Sequence, residues 1–585
     1  MEMETLKSVN EGAQIARVSK DIMLKTDKII MFTGLLLVSW AMTWEKSIVD
    51  AITPTVTSNF HANNVTAILP TVLNILQTAL QPIYSKLSDI TGRANTYTIS
   101  IVFFVASYVI MAVSQNYNTL IGGQVVYAFG YSGTYILGFI LIGDMTDFVN
   151  RGLFLAVYNF PTIINLFAAS VAAQSFLDNG EWRWAFGHIT ILMFATSAPI
   201  IFGLWRIHFK AKKRGFVVIR QQESKSFLEK VKWALIEVDI MGSLLLVAGL
   251  FLILLPLILA NSWGGWGNVR VVVTLVTGGV AWILFVLWEW KFAKKPIVPI
   301  TNWESKNPIW GVLTIALVNV INMIMDKQYF LSYLQVTRRV TPKIATYLER
   351  GFNCTYVTLP IVVGFCMKNT RSWRPYVWIG VSLSVIAAGL MIPARHSTSS
   401  DGFIVISQIL FGASDALLNY PLMVAVQGSV PPEDVAIVIT LFELSISVAS
   451  SIGSTIGGAI WNSVLPSLFE KYVPGDYNYL KIVQSISYAQ ALPEDQYEGV
   501  VRAYDDTMRI FSVASVCIAA LAFVASIPLK GFKLGDESDK RKRDEEDDEA
   551  DGISFSKICH CLIELKGDFN LSRVHVSDPK TTRGR

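Results

Sequence analysis

The 585-residue chain is 52% hydrophobic and only 16% charged, with a mean hydropathy of +0.45. That balance excludes a water-soluble globular enzyme, and apolar windows of about 20 residues, the length that crosses a bilayer core, recur too often for a single span. The net charge of +4 is small and carries no signature of nucleic-acid binding, so the placement of charge informs more than its sum.

Residues 1–28 are polar and lack the basic, apolar, small-residue order of a cleaved signal, which makes them an N-terminal cytoplasmic tail. Apolar segments follow at 29–48, 66–86, 96–114, 119–142, 154–177, 186–205, 237–260, 271–290, 309–334, 345–367, 375–394, 402–427, 434–463 and 506–528. They predict an all-α polytopic membrane protein with about fourteen transmembrane helices. Lys and Arg collect in cytoplasmic loops. With the N-terminus inside, the basic stretch 206–236 is cytoplasmic, as are Lys291, Lys294, Lys295, Lys368, Arg371 and Arg374. Arg338, Arg339 and Lys343 are an exception on the outer side. A Tyr-rich outer loop is expected at 464–505 and a charged cytoplasmic tail at 529–585. Asn64-Val65-Thr66 is a glycosylation sequon in the first outer loop.

Small residues at Gly130, Thr134 and Gly138 share one face of the fourth span, as Gly453 and Gly457 do on the thirteenth, and such faces let helix backbones approach closely. Pro70, Pro82, Pro161, Pro199, Pro256, Pro360 and Pro421 lie within or at the ends of spans, where neighbouring helices can satisfy the freed carbonyls. Cys354, Cys366 and Cys517 lie in apolar stretches and read as small buried hydrophobes. Cys559, His560 and Cys561 fall short of a four-ligand metal site. The remaining histidines, His61, His188, His208, His396 and His575, are scattered without ligand spacing, so no metal site and no cofactor is predicted.

Charge inside a membrane costs about 2.5–3.5 kcal/mol per group on insertion scales, so intramembrane acids mark a pathway or pair with one another. The candidates for a proton or substrate pathway are Glu45 at the end of the first span, Asp326 in the ninth with Tyr329 after it, Asp415 and Asn419 in the twelfth, and Glu443 centred in the thirteenth. Asp326 also reads as an interfacial pair with Lys327, and Asp415 and Glu443 as members of structural pairs.

Between the second and third spans stands Leu87-Ser88-Asp89-Ile90-Thr91-Gly92-Arg93, which resembles the loop motif of the major facilitator superfamily. An acid at a helix end, a Gly turn and an Arg can form a latch that holds one conformation of the bundle closed. Asp144, Asp147, Arg151 and Gly152, between spans four and five, resemble its partner cluster. Asp89, Gly92, Arg93, Asp144 and Arg151 are therefore the expected conformational switch.

Further stretches resemble the fungal siderophore-iron transporter family, with its glutathione-exchanger relatives. They are Gly143-Asp144-Met145-Thr146 with Arg151, Pro161-Thr162-Ile163-Ile164-Asn165, Trp182-Arg183-Trp184-Ala185-Phe186-Gly187 and Trp288-Glu289-Trp290-Lys291-Phe292-Ala293-Lys294-Lys295-Pro296. Gly457-Gly458-Ala459-Ile460-Trp461 with Ala503-Tyr504 and Arg509-Ile510 complete the resemblance, and Tyr504 and Arg509 are carried over as outer-loop residues. Proton-coupled drug antiporters of this helix count carry an Arg in the fourth span and glycines beside the proline of the fifth. Val126 and the surroundings of Pro161 depart from both, which disfavours drug efflux.

The resemblance implies two six-helix bundles, at 29–205 and 309–528, with two additional helices in 237–308 and a midplane site between the bundles. It implies a monomeric, non-enzymatic carrier that takes up a ferric siderophore chelate together with protons at the plasma membrane or an endosomal or vacuolar membrane. Proton-coupled exchange of glutathione or another small solute is the alternative within the family, and a transporter-like nutrient receptor is the alternative outside it.

Overall fold

A computed structural model describes residues 23–59, 68–213, 239–260, 263–293, 303, 305–325, 327–431 and 434–535. In chain order the helices are α1 (Lys25–Asn59), α2 (Ile68–Thr91), α3 (Arg93–Ala112), α4 (Tyr117–Met145), α5 (Phe148–Asn159), α6 (Thr162–Asp178) and α7 (Trp182–Lys213). Then come α8 (Ile240–Leu259), α9 (Val269–Leu287) with a π-helical extension over Trp288–Phe292, α10 (Asn307–Ile324) and α11 (Lys327–Arg338). The last are α12 (Pro342–Thr370), α13 (Arg374–Ala394), α14 (Asp401–Gln427), α15 (Val435–Tyr472), the short α16 (Tyr479–Gln484) and α17 (Ile486–Gln490), and α18 (Glu494–Ser526). Helices are what an apolar chain must form in lipid, because only they satisfy every backbone N–H and C=O within one segment.

Eleven helical stretches among the described residues are long and apolar enough to cross a membrane, so this is an integral, multi-pass membrane protein. α1, α2 and α12, at 35, 24 and 29 residues, are of spanning length and carry more polar sequence. The cores of α1, α2, α3, α4, α6 and α7 pack on one another, as do those of α10, α12, α13, α14, α15 and α18. α8 and α9 pair with each other, and α8 rests on α2 and α15. Between the two groups, α2 packs on α15 and α5 on α12. Sharp approaches need glycine: a Cβ on Gly130 of α4 would stand 2.3 Å from the Phe104 backbone nitrogen of α3, and one on Gly364 of α12 would stand 2.6 Å from Leu153 Cα of α5.

Four expectations are refined. The span drawn at 154–177 is two helices that meet at Phe160 and Pro161, where Ile163 and Ile164 donate three residues back, to Phe160 and Pro161, at 3.1 Å each. A proline has no N–H for the usual bond four residues back, so this turn tightens instead. The ninth span likewise divides, into α10 and α11, and Asp326 between them lies outside the described residues. The segment 464–505, expected as an outer loop, is largely helical, with α15 running to Tyr472 and α18 starting at Glu494, so Tyr504 and Arg509 stand on a long helix. The tail expected from 529 begins with an ordered strap, because Leu534 N donates to Arg371 O at 2.9 Å and Ser372 and Lys533 form an antiparallel bridge. The sequon at Asn64, the basic stretch beyond Lys213 and the Cys559-His560-Cys561 group lie outside the described residues.

Candidate functional site

The Asp89–Arg93 loop folds as a compact ion cluster. Gly92 caps α3 at φ +91°, a left-handed backbone that strains any residue with a Cβ, and so reverses the chain within one residue of Thr91. This turn aims Arg93 back at α2. Its Nη1 meets Asp89 Oδ1 at 2.6 Å and donates to Ser88 Oγ, while its Nε meets Asp144 Oδ2 of α4 at 3.0 Å. The guanidinium is 9% exposed and thus spends its charge on these acids and not on water.

Arg151, at the start of α5, is 2% exposed. Its Nη2 donates to the carbonyls of Gly143 at 2.6 Å and Thr146 at 3.1 Å, and its Nη1 donates to Gln427 Oε1 of α14 at 2.9 Å. The cluster therefore reaches from the first group of helices into the second. Beside it, Gly143 faces Ile439 and Val435 of α15, and Gly152 faces Met367 and Val424. Five residues expected to form a switch are brought together at one end of the bundle, with Gln427 as the partner that sequence reasoning missed. Asp147 is exposed and stands outside the cluster.

Deeper in the bundle, Glu45 of α1 is 2% exposed and accepts hydrogen bonds from the hydroxyls of Tyr108 of α3 and, at 3.1 Å, Tyr127 of α4. Tyr127, Tyr131 and Tyr135 follow at one-turn spacing on α4, with ring centroids 5.5 and 5.6 Å apart, the second pair stacked within 11° of parallel. Tyr135 then donates to Glu443 Oε2 of α15 at 2.9 Å. Two buried carboxylates from the two halves of the chain thus stand at the two ends of one aromatic row. Its tyrosines are half-buried, so the row borders accessible space. The period of four was present in the sequence at Tyr127, Tyr131, Tyr135 and Phe139 and is the signal that finds it.

Asp415 of α14 is 4% exposed and accepts from Asn322 Nδ2 of α10 at 3.2 Å, while its Oδ1 is buried with no hydrogen-bond partner among the described residues. One turn on, Asn419 Nδ2 donates to the Tyr356 hydroxyl at 3.4 Å. These residues form a second polar group, built within the second set of helices. Tyr329 of α11 stands elsewhere, with its ring 4.9 Å from Trp461 and 5.7 Å from Phe511. Tyr504 is fully buried in the same aromatic cluster, 5.3 Å from Trp461, and Arg509 is exposed on α18. These three do not join the carboxylates. Among the described residues, no group of three or more His, Cys, Asp or Glu could hold a metal ion.

A family model described as Major Facilitator Superfamily matches residues 35–454. The chain belongs to that superfamily. Among curated proteins it is similar to siderophore iron transporter mirC of Emericella nidulans, 27% identical over 93% of this chain and 90% of the relative. Siderophore iron transporter 1 of Schizosaccharomyces pombe is 27% identical over 84% of this chain and 81% of its own. Among solved structures, the human organic anion transporter MFSD10 superposes with a TM-score of 0.51 at 12% identity, over 85% of this chain and 99% of that one. A bacterial homologue of the iron transporter ferroportin, in an outward-facing state, gives 0.52 at 11%, over 85% and 98%. At such identities the structural matches carry the fold alone: this major facilitator protein is built as its superfamily is, and its resemblance to siderophore-iron transporters runs nearly end to end.

Proposed function

We propose that the protein is a secondary active transporter that takes up ferric siderophore chelates with protons by alternating access. The reading rests on one observation above others, the similarity to named siderophore iron transporters over nine-tenths of both chains. A chelate brings its own coordination shell, so its carrier needs hydrogen-bonding and aromatic groups and no metal ligands of its own. The half-buried row of Tyr127, Tyr131 and Tyr135, with the bonded pair of Tyr356 and Asn419 in the second group, supplies groups of that kind.

In this reading α1–α7 and α10–α18 are two bundles of six spans each, α8 and α9 are two extra spans, and the full count is fourteen. The end bearing Arg93 is cytoplasmic, since the basic loops lie there. With Arg151 joined to Gln427 and Gly364 seated on Leu153, that end is closed, and substrate enters the aromatic row from outside. Glu443 and Glu45 take up protons there, and Arg93 with Asp89 and Asp144 governs the rocking that releases both inward. The test is uptake of iron-55 loaded on a panel of siderophores by cells with and without the gene, at external pH values above and below neutral. Gene-dependent uptake that collapses with the proton gradient is expected; gene-dependent glutathione exchange with no chelate uptake overturns the reading.

A further inference from the structure

The outer face of α7 carries a groove of about 420 Å³ lined by Phe202, Trp205, Arg206, Phe209, Lys210 and Lys213. The residues fall into two rows at one-turn spacing, Phe202, Arg206 and Lys210 beside Trp205, Phe209 and Lys213, so each row runs from apolar to basic toward the end of the helix. Phe202 and Phe209 are 59% and 60% exposed, on the surface a membrane protein turns to lipid. Trp205 is held in place by donating from its indole nitrogen to Thr98 Oγ1 of α3 at 3.2 Å and by contact with Phe209 at 5.5 Å between ring centroids.

Orientation of the chain and the dipole of α7 account for basic residues at this helix end. Neither accounts for three aromatic rings interleaved with them in the same groove. Nor is the charge consumed among the described residues. Arg206 and Lys210 share the single carboxylate of Asp27 from α1, at 3.2 and 2.5 Å, and Asp27 is 1% exposed, so the pair keeps one net positive charge. Lys213 adds another and is exposed.

We propose that this groove binds one anionic phospholipid of the adjoining leaflet, with its phosphate and headgroup against Arg206, Lys210 and Lys213 and its acyl chain along Phe202, Trp205 and Phe209. The arrangement matches both halves of such a molecule, since a free phosphate has no use for the aromatic rows and a zwitterionic lipid has none for the surplus charge. A basic side chain near an anionic headgroup contributes enough to change affinity about fivefold. Because Asp27 lies in the first turn of α1, the bound headgroup also braces α1 against α7.

The test uses the full chain purified in a neutral detergent and needs no transport. Native mass spectrometry and thermal unfolding are followed while phosphatidylserine, phosphatidylcholine or inorganic phosphate is added. The expected result is one retained phosphatidylserine and a raised melting temperature, with no comparable effect of phosphatidylcholine or phosphate. Lys213→Gln, remote from Asp27, is expected to weaken retention about fivefold without lowering the melting temperature of lipid-free protein. Arg206→Gln with Lys210→Gln is expected to abolish retention. Equal retention of phosphatidylcholine, equal stabilisation by inorganic phosphate, or undiminished retention in both variants overturns the proposal.

Discussion

Tyr135 on α4 donates its hydroxyl to Glu443 on α15 at 2.9 Å, across 308 positions of sequence. The bond joins the two groups of helices at a buried acid, and a hydrogen bond to a charged group contributes about 1.5–3 kcal/mol. Any motion that separates α4 from α15 must break it, so its strength depends on whether Glu443 carries a proton. Tyr135→Phe is expected to lower pH-driven accumulation of ferric chelate about tenfold at unchanged surface abundance, while Tyr488→Phe, on an exposed tyrosine far along the chain, leaves it intact. Accumulation that is unaltered in Tyr135→Phe removes the bond from the mechanism.

Glu443→Gln keeps the size of the side chain and abolishes proton release. It is expected to eliminate accumulation against a gradient while exchange of labelled for unlabelled chelate survives. Asp415→Asn and Glu45→Gln are the next candidates. Glu45 already accepts two tyrosine hydroxyls, and Asp415 has an oxygen without a partner among the described residues, so Asp415→Asn is the milder change to internal bonding. Normal pH dependence in all three variants would place coupling outside these carboxylates.

Much of this arrangement is legible in the sequence, for physical reasons that differ by residue. Spans are visible because lipid demands about 20 apolar residues at a time, and the Arg93 ion cluster is visible because Asp89, Gly92 and Arg93 are neighbours in sequence as in space. Glu45, Asp415 and Glu443 are visible because charge at membrane depth is costly. Their pairing is not, since Glu443 meets Tyr135 and Arg151 meets Gln427 only after the chain has crossed the bundle. The tyrosines of α4 are harder to see, because aromatic residues are common in any membrane protein as interfacial belts, although a spacing of four does not fit a belt and does fit one helix face. The break at Met325 is the least legible, because no proline marks it.

At the proposed switch, Asp89→Asn leaves Arg93 paired with Asp144 alone among the acids of the described residues. Transport is expected to slow several-fold while chelate binding from outside is kept, because in the proposed orientation the cluster stands at the far end of the bundle from the entry. Gly364→Ala tests the proposed closure of that end from another side. Its new methyl would fall 2.6 Å from the Leu153 backbone, which cannot yield as a flexible side chain can. The variant should favour the state open at the Arg93 end, read as faster labelling there of a cysteine introduced at Met367. Unchanged labelling would mean that α5 and α12 do not form the gate.

The strap after α18 separates structure from signalling. Asn307, at the start of α10, donates to Lys530 O at 2.9 Å and accepts from Lys530 N at 2.8 Å, so the chain is stitched to the second group as soon as α18 ends. Phe532 then packs on Trp373, with ring centroids 5.6 Å apart, and Trp373 is fully buried. Leu534, 1% exposed, closes the strap. Truncating a buried Leu to Ala costs about 2–5 kcal/mol, so Leu534→Ala is expected to lower the melting temperature of the purified protein, and a stop codon at position 529 to lower it further. A stop codon at position 536 spares every one of these contacts. It is expected to leave both the melting temperature and chelate uptake unchanged, as a carrier requires, whereas a receptor that signals through its charged tail would lose its output. Loss of uptake on removal of 536–585, with the strap intact and the protein folded, would therefore count against transport as the sole task of this chain.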